Sequence, residues 1–270
     1  MCNPKFSNEN PNPVVYTLEE VKTIKAVYNK LTTEKDIDPS RIGLRALALV
    51  SIISNSHVDD ASAKYVEMLE ALKIYSIESL AFTDTKEIEE LMQDDDVQGI
   101  INNISWCGQD HEKRNIVWIN KNECLPPNME RAYCIGKLLQ WFAIHADKKT
   151  IHEGVTTIVD LSRHKKAASY GNEDKVKKLY HAFPMRSKSV KLAGTSFFIQ
   201  IMLNFIIMIV SFVTRMNTRE RIRFVTLEDA VMSIPKKSAP KDMNGGAGEI
   251  KDRKEWVKKR VLSLPVPSFT

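Results

Sequence analysis

An apolar run of 17 residues, 197–213, restricts the possible folds of this chain more than any other segment. Its length lies at the lower limit for a helix that crosses a bilayer. Ser196, Gln200 and Asn204 follow one another at intervals of four, so on a helix they form one polar stripe. Burying about seven large apolar side chains stabilises a fold by roughly 10–20 kcal/mol, and leaving them in water would lose this free energy. We therefore predict a helix packed on a globular domain, its second apolar face covered by a ligand or, transiently, by a membrane.

Two alternatives remain for this run. A transmembrane span would account for its apolar character, although the polar stripe and the strand-like segments on both sides disfavour a span. A helix buried on all sides in the core of a soluble domain would account for it as well.

Strand-like and helix-like segments alternate around the run. Four short segments are rich in β-branched and aromatic residues and are predicted to be strands: 115–120, 155–161, 189–194 and 222–226. Three longer segments between them are predicted to be helices: about 129–147, 172–183 and 196–213. This order predicts an α/β fold in which neighbouring strands are parallel.

The chain before these strands has a helical pattern. Residues 1–15 contain three prolines among Asn and Ser and are predicted to be a disordered lead-in. Thr17 and Glu20 match a capping box at the start of a helix, and two more helical segments follow. We predict a small helical subdomain over 16–95, a second domain over 96–262 and a tail over 263–270.

The net charge of +5 conceals a strong asymmetry. Residues 161–270 contain 22 basic against 9 acidic residues, whereas residues 1–160 contain 17 basic against 25 acidic residues. A basic half favours an anionic partner such as phospholipid headgroups, nucleic acid or an acidic protein. Solvated charged faces without a partner would give the same composition.

The motifs of common enzyme classes are absent from the sequence. It contains no nucleophile elbow, no zinc-protease motif and no phosphate-binding loop, and its histidines fit no metal-ligand spacing. The basic half also lacks the aromatic signature of RNA-binding domains. Four scattered cysteines without a CxxC pair, and a start without a secretory signal, favour a reducing compartment. We expect no catalytic residue, metal, cofactor or nucleic-acid partner, and a cytoplasmic protein that visits membranes transiently.

Five motifs occur in an order and spacing that resemble the CRAL-TRIO family of lipid-binding domains. They are Gly108–Arg114 before the first strand, Gly154–Leu161, Phe183–Lys188, Thr218–Phe224 and Pro240–Gly246. The resemblance runs from about residue 17 to 260. It is nearest to the branch that contains the α-tocopherol transfer protein and cellular retinaldehyde-binding protein.

The resemblance implies a mixed, mostly parallel sheet that floors an apolar pocket, with residues 197–213 as a gate helix. The implied pocket residues are Val159, Leu179, Phe183, Leu192, Phe198, Ile201, Met202, Phe205, Ile206 and Ile209. The implied phosphoinositide headgroup contacts are Arg186, Lys188, Arg219 and Arg221. Val210 and Ser211 stand where the family usually has Lys-Pro, so a proline kink is not expected in this helix.

The function implied by the resemblance is not enzymatic. The protein would bind a hydrophobic or isoprenoid-like lipid and transfer it between membranes, docking through a basic patch that binds phosphoinositides. Two alternatives stay open: a regulatory adaptor that reads phosphoinositides without transferring lipid, and a membrane-anchored protein that uses 197–213 as a span.

Overall fold

The computed structural model describes residues 13–80, 85–102, 107–120, 127–162, 173–194, 222–241, 245–248 and 252–269. In these ranges the protein is α/β, with helices packed on a five-stranded mixed sheet. The predicted apolar helix 196–213 lies outside the described residues, as do most of the lead-in and the motif residues 218–221.

Helices and short strands follow one another along the described chain. The helices are α1 (Leu18–Glu34), α2 (Gly43–Ile53), α3 (Val58–Ile74), α4 (Thr85–Leu91), α5 (Asp95–Asn102), α6 (Glu130–His145), α7 (Lys148–Glu153), α8 (Glu173–Ala182), α9 (Leu227–Met232) and α10 (Arg253–Ser263). The strands are β1 (Cys107–Gln109), β2 (Asn115–Asn120), β3 (Val155–Asp160), β4 (Ser187–Ala193) and β5 (Ile222–Val225).

The five strands lie side by side in chain order. β1 pairs antiparallel with β2, and each later strand pairs parallel with the one before it. The prediction of an α/β fold with parallel neighbours is therefore confirmed. The short antiparallel strand β1 was not predicted, and β4 begins two residues earlier than the sequence pattern indicated.

The capping box that begins α1 is present as predicted. The Glu20 backbone amide donates to the Thr17 hydroxyl at 3.3 Å, and the Thr17 amide donates to a Glu20 carboxylate oxygen at 2.7 Å. Both groups would otherwise be unpaired at the helix end. Ile24, Val27 and Leu31 then lie on the buried side of α1, where they join the main core.

One hydrophobic core links the N-terminal helices to the helices over the sheet. A single cluster of buried side chains extends from Val14 to Leu264 and includes residues of α1–α3, α6, α8 and α10. The C-terminal segment returns to the N-terminal helices, where the Arg45 guanidinium donates to the Leu264 carbonyl at 2.8 Å and the Tyr28 and Phe269 rings lie 5.3 Å apart. The segment expected to be a tail thus packs on α1.

Gly154 occupies a position that requires glycine. Its φ of +101° lies in a region that L side chains rarely adopt, and a Cβ there would lie 2.7 Å from the carbonyl oxygen of Arg186. The neighbouring Val155 amide donates to that same carbonyl at 2.7 Å. The glycine of the Gly154–Leu161 motif therefore permits β3 to pair closely with the start of β4.

Candidate functional site

A cleft of about 60 Å³ lies between α6 and α8, over strand β2. We call this space the cleft. Its apolar lining is Val117, Ile119, Trp141, Ile144, Leu179 and Phe183. Lys137, Gln140, Tyr180 and Met185 complete it.

Two aromatic residues fix one wall of the cleft. The Trp141 indole donates from Nε1 to the Pro184 carbonyl at 2.8 Å, which satisfies its one polar group. Its ring stacks on Phe183 with the centroids 6.0 Å apart and the planes 27° apart. The wall is therefore held by both a hydrogen bond and ring packing.

Lys137 is held between two tyrosine rings beside the cleft. Its Nζ lies 5.2 Å from the centroid of Tyr133 and 5.7 Å from that of Tyr180. The two tyrosine hydroxyls are 3.3 Å apart and hydrogen-bonded. The charge of Lys137 is therefore stabilised by both aromatic faces.

An apolar row crosses the sheet from the cleft. Ile119, Val159, Leu192 and Phe224 are in register on β2, β3, β4 and β5. Residues in register on parallel strands point to the same face, and Ile119 lines the cleft, so the whole row faces the same side as α6 and α8. All four are partly exposed. We call this row the apolar strip.

The opposite face of the sheet packs on α9. Ile116, Trp118 and Ile158 are buried there against Ala230 and Val231 of α9. The two faces therefore differ, because one holds a compact core cluster and the other exposes part of the apolar strip.

Gln140 is a buried polar residue in the lining of the cleft. Only 5% of its surface is exposed, and it lies among the apolar side chains of the lining.

An ion-pair network closes the turn between β1 and β2. Asp110 and Arg114 are both buried, and the Asp110 Oδ2 lies 2.8 Å from the Arg114 Nη2. The Thr156 hydroxyl donates to the same carboxylate at 3.0 Å, and Arg114 also pairs with Glu112 at 3.0 Å and Glu153 at 3.7 Å. Both carboxylate oxygens of Asp110 accept hydrogen bonds from neighbouring residues of the protein. This indicates a structural role for the Gly108–Arg114 motif.

His145 is also buried and structural. Its Nδ1 lies 2.8 Å from the Trp141 carbonyl, so Nδ1 carries the proton, and Nε2 has no hydrogen-bond partner. Burial lowers the pKa of this imidazole to about 4. The side chain is therefore neutral at physiological pH and inaccessible to a substrate.

The structure places four of the ten predicted pocket residues on one side of the sheet. Leu179 and Phe183 line the cleft, and Val159 and Leu192 belong to the apolar strip. The other six lie outside the described residues: Phe198, Ile201, Met202, Phe205, Ile206 and Ile209.

Sequence reasoning missed eight of the ten residues that line the cleft, since it predicted only Leu179 and Phe183. Val117 and Ile119 alternate along a strand that was predicted, so their shared face could have been found from the period of two. Gln140, Trp141 and Ile144 lie on one face of the predicted helix 129–147, but almost every neighbouring position of α6 is buried too. No amphipathic pattern marks the cleft face of that helix.

Arg186, a predicted headgroup residue, is engaged in the fold. Its Nη1 donates to the carbonyls of Ile151, at 3.4 Å, and His152, both in the last turn of α7. A cation at this end of a helix satisfies carbonyl groups that have no partner in the helix. Its guanidinium is therefore held at the end of α7.

Lys188, the second predicted headgroup residue, is exposed at a bulge. The register between β3 and β4 shifts between Val155 and Thr156, and Lys188 is the extra residue on β4. It makes no ion pair within the described ranges. The other predicted headgroup residues, Arg219 and Arg221, lie outside those ranges.

Two kinds of site are not found in the described ranges. No group of three or more His, Cys, Asp or Glu residues there could hold a metal ion. None of the helices described is both long enough and apolar enough to cross a membrane.

Comparison with protein-family models gave no match to this chain, and neither did comparison with curated proteins. The likeness to CRAL-TRIO domains therefore rests on the order of the five motifs alone.

Proposed function

We propose that this protein binds an apolar small molecule or lipid against the sheet face formed by the apolar strip and the cleft, and carries it between membranes. The single observation that supports this most is the continuity of the two features. A partly exposed apolar row that crosses four strands begins at a residue of an apolar cleft.

Burial of the strip provides the driving force. Covering a large apolar side chain stabilises a complex by up to about 1.5–3 kcal/mol, less for chains that are already partly buried. A ligand that covers the strip from Ile119 to Phe224 would gain part of this burial free energy at each of the four positions. Because the stabilisation grows with the number of side chains covered, an extended apolar ligand is favoured over a small polar one.

The described crossovers lie on the face of the apolar strip. Crossovers between parallel neighbours are right-handed in nearly all proteins, and here the strands advance in one direction. The two crossovers that contain α6 and α8 both lie on this face. The apolar run 197–213, which the resemblance implies as a gate helix, lies outside the described residues.

Docking on an anionic membrane would complete a transfer cycle. Lys188 and Arg186 lie at the start of β4, in the basic half of the chain, and Lys188 is exposed. Headgroup contact beside the strip would bring the ligand site to the membrane surface, which couples docking to release.

Leu192→Arg is expected to reduce the affinity for a pyrene-labelled long-chain alcohol by about tenfold or more, because it places a charge on the apolar floor. Transfer of the probe between vesicles should fall in parallel. Met232→Arg is the matched control, since Met232 is an apolar side chain on α9 with 65% of its surface exposed. Equal affinities for the wild type and a folded Leu192→Arg variant would contradict the proposal.

Lys188→Ala is expected to weaken binding to vesicles that contain phosphoinositides by about fivefold at low salt, since one charge near an anionic leaflet contributes about 1 kcal/mol. The difference should shrink as salt rises. Lys73→Ala, on the exposed side of the last turn of α3, is the control and should bind as the wild type does. Co-sedimentation measures both variants, and an unchanged affinity of Lys188→Ala would exclude this docking residue.

A further inference from the structure

We infer that α1 and α2 form a recognition site for an extended, proline-containing segment of a partner protein, and that residues 264–269 of this chain occupy the site in cis. We call these six residues the strap. The partner segment that fits has the pattern of the strap: leucine, proline, any residue, proline, any residue, phenylalanine. The residues that hold the strap are not those that line the cleft, so the inference is independent of the proposed lipid site.

The strap has the backbone and the burial pattern of a polyproline II segment. The rings of Pro265 and Pro267 fix φ at about −65°, which suits this conformation. Leu264 has φ −70° and ψ 121°, in the extended region preferred before a proline. Leu264 and Pro267 are buried, whereas Val266 between them is exposed. Three residues make one turn of polyproline II, so every third side chain faces the helices.

Three side chains of the helical layer donate to main-chain carbonyls of the strap. Nε of Arg45 donates to the first strap carbonyl at 2.8 Å, the Tyr16 hydroxyl to the second at 3.2 Å, and Nζ of Lys25 to the sixth at 3.1 Å. A polyproline II segment has no internal hydrogen bonds, so its carbonyls are open to such donors. These contacts read the shape of the backbone, and any segment of this conformation can accept them.

Apolar contacts at the two ends of the strap select its side chains. Leu264 is 1% exposed and joins the main core. The Phe269 ring packs on Tyr28, with the centroids 5.3 Å apart and the planes at 52°. Hydrogen-bond donors beside aromatic rings are a recurrent way of binding proline-rich segments. The site therefore selects an apolar residue at the first position and an aromatic ring at the sixth.

The strap can leave the site while the helix before it stays in place. Helix α10 has its own anchors, because Val257 and Val261 are fully buried and Nη1 of Arg260 donates to the Ala143 carbonyl at 3.3 Å. A short segment with exposed residues such as Val266 opens at a lower free energy than the whole fold. A partner segment can then compete, although the tethered strap lowers its apparent affinity.

The test titrates a fluorescent peptide, Leu-Pro-Val-Pro-Ser-Phe, into the full-length chain and follows its anisotropy. Pro267→Ser combined with Phe269→Ser weakens the strap in cis. This double variant should bind the peptide at least about tenfold more tightly than the wild type, because its own competitor is weakened. A peptide with alanine in place of both prolines should bind about fivefold more weakly, since it is not preorganised.

Further substitutions in the double variant locate the peptide on α1. Lys25→Ala and Tyr28→Leu should each weaken peptide binding by about threefold or more, because each removes one contact. Lys22→Ala is the matched control, since this lysine lies three residues earlier on α1 and pairs with Glu19. It should leave the peptide affinity unchanged.

The other outcomes overturn the inference. Peptide binding to the folded double variant that is no tighter than binding to the wild type would show that the strap does not occupy a recognition site. Equal binding of the alanine peptide would exclude polyproline II recognition. Dimers of the wild type that form with rising concentration and are lost in Tyr28→Leu would assign the site to a second copy of this chain. Phe269→Ser alone replaces the double variant if that protein does not fold.

Discussion

Replacing Asp110 by alanine is expected to lower the free energy of unfolding by about 3–5 kcal/mol, because the change leaves a buried arginine without its main partner. Asp110 receives Nε and Nη2 of Arg114, each at 2.8 Å, together with the Thr156 hydroxyl. Its other oxygen accepts the backbone amides of Glu112 and Arg114 at 2.9 and 3.0 Å. The single carboxylate thus fixes the β1–β2 turn and joins it to β3.

Urea unfolding measures this loss, and two further variants locate its cause. Glu112→Ala should cost less than about 1 kcal/mol, since the Glu112 side chain is 60% exposed. Asp110→Ala combined with Arg114→Leu should recover part of the loss, because the unpaired charge is then removed. A loss below about 1 kcal/mol in Asp110→Ala would show that the network does not stabilise the fold.

Acidification is expected to destabilise the protein through His145. Burial lowers the pKa of the folded imidazole to about 4, below its ordinary 6.5, so the unfolded chain binds more protons between these values. Stability attributable to His145 is therefore complete above about pH 6.5 and declines as the pH falls towards 4. The full loss is roughly 3 kcal/mol, at about 1.4 kcal/mol per pH unit.

Unfolding free energies measured from about pH 7 down to about pH 4 test this dependence. His145→Asn removes the titrating group and keeps an N–H donor, so its stability should vary less with pH across this window. His57→Asn replaces an exposed histidine and should keep the slope of the wild type. The same slope in all three proteins would show that His145 does not control acid stability.

The positions of four strands along the chain could be predicted from the sequence because local composition indicates them. Segments such as 115–120 and 155–161 contain runs of β-branched residues, and helical segments separate them. The capping box at Thr17 could be predicted for the same reason, since its four residues are adjacent in the chain. Strand β1 has only three residues and too little pattern to be recognised.

The site was harder to predict because it depends on which sides of elements face each other. The period of two along a strand could assign Val159 and Leu192 to an apolar floor. Helix α6 is buried on nearly all sides, so its sequence does not show that Gln140 and Trp141 face the cleft rather than another neighbour. Helix α10 was not predicted, because seven of its eleven residues are polar or charged and Val257 and Val261 alone give a weak apolar pattern.

Photolabelling of the full-length protein with a long-chain alcohol that carries a diazirine tests the central claim most directly. Peptide mapping should place saturable label on the apolar strip and the cleft, at residues such as Val159, Leu192 and Trp141, and excess decanol should remove it. Label on the opposite face, around Trp118 and Val231, or label that does not saturate, would contradict an apolar ligand site on this face of the sheet.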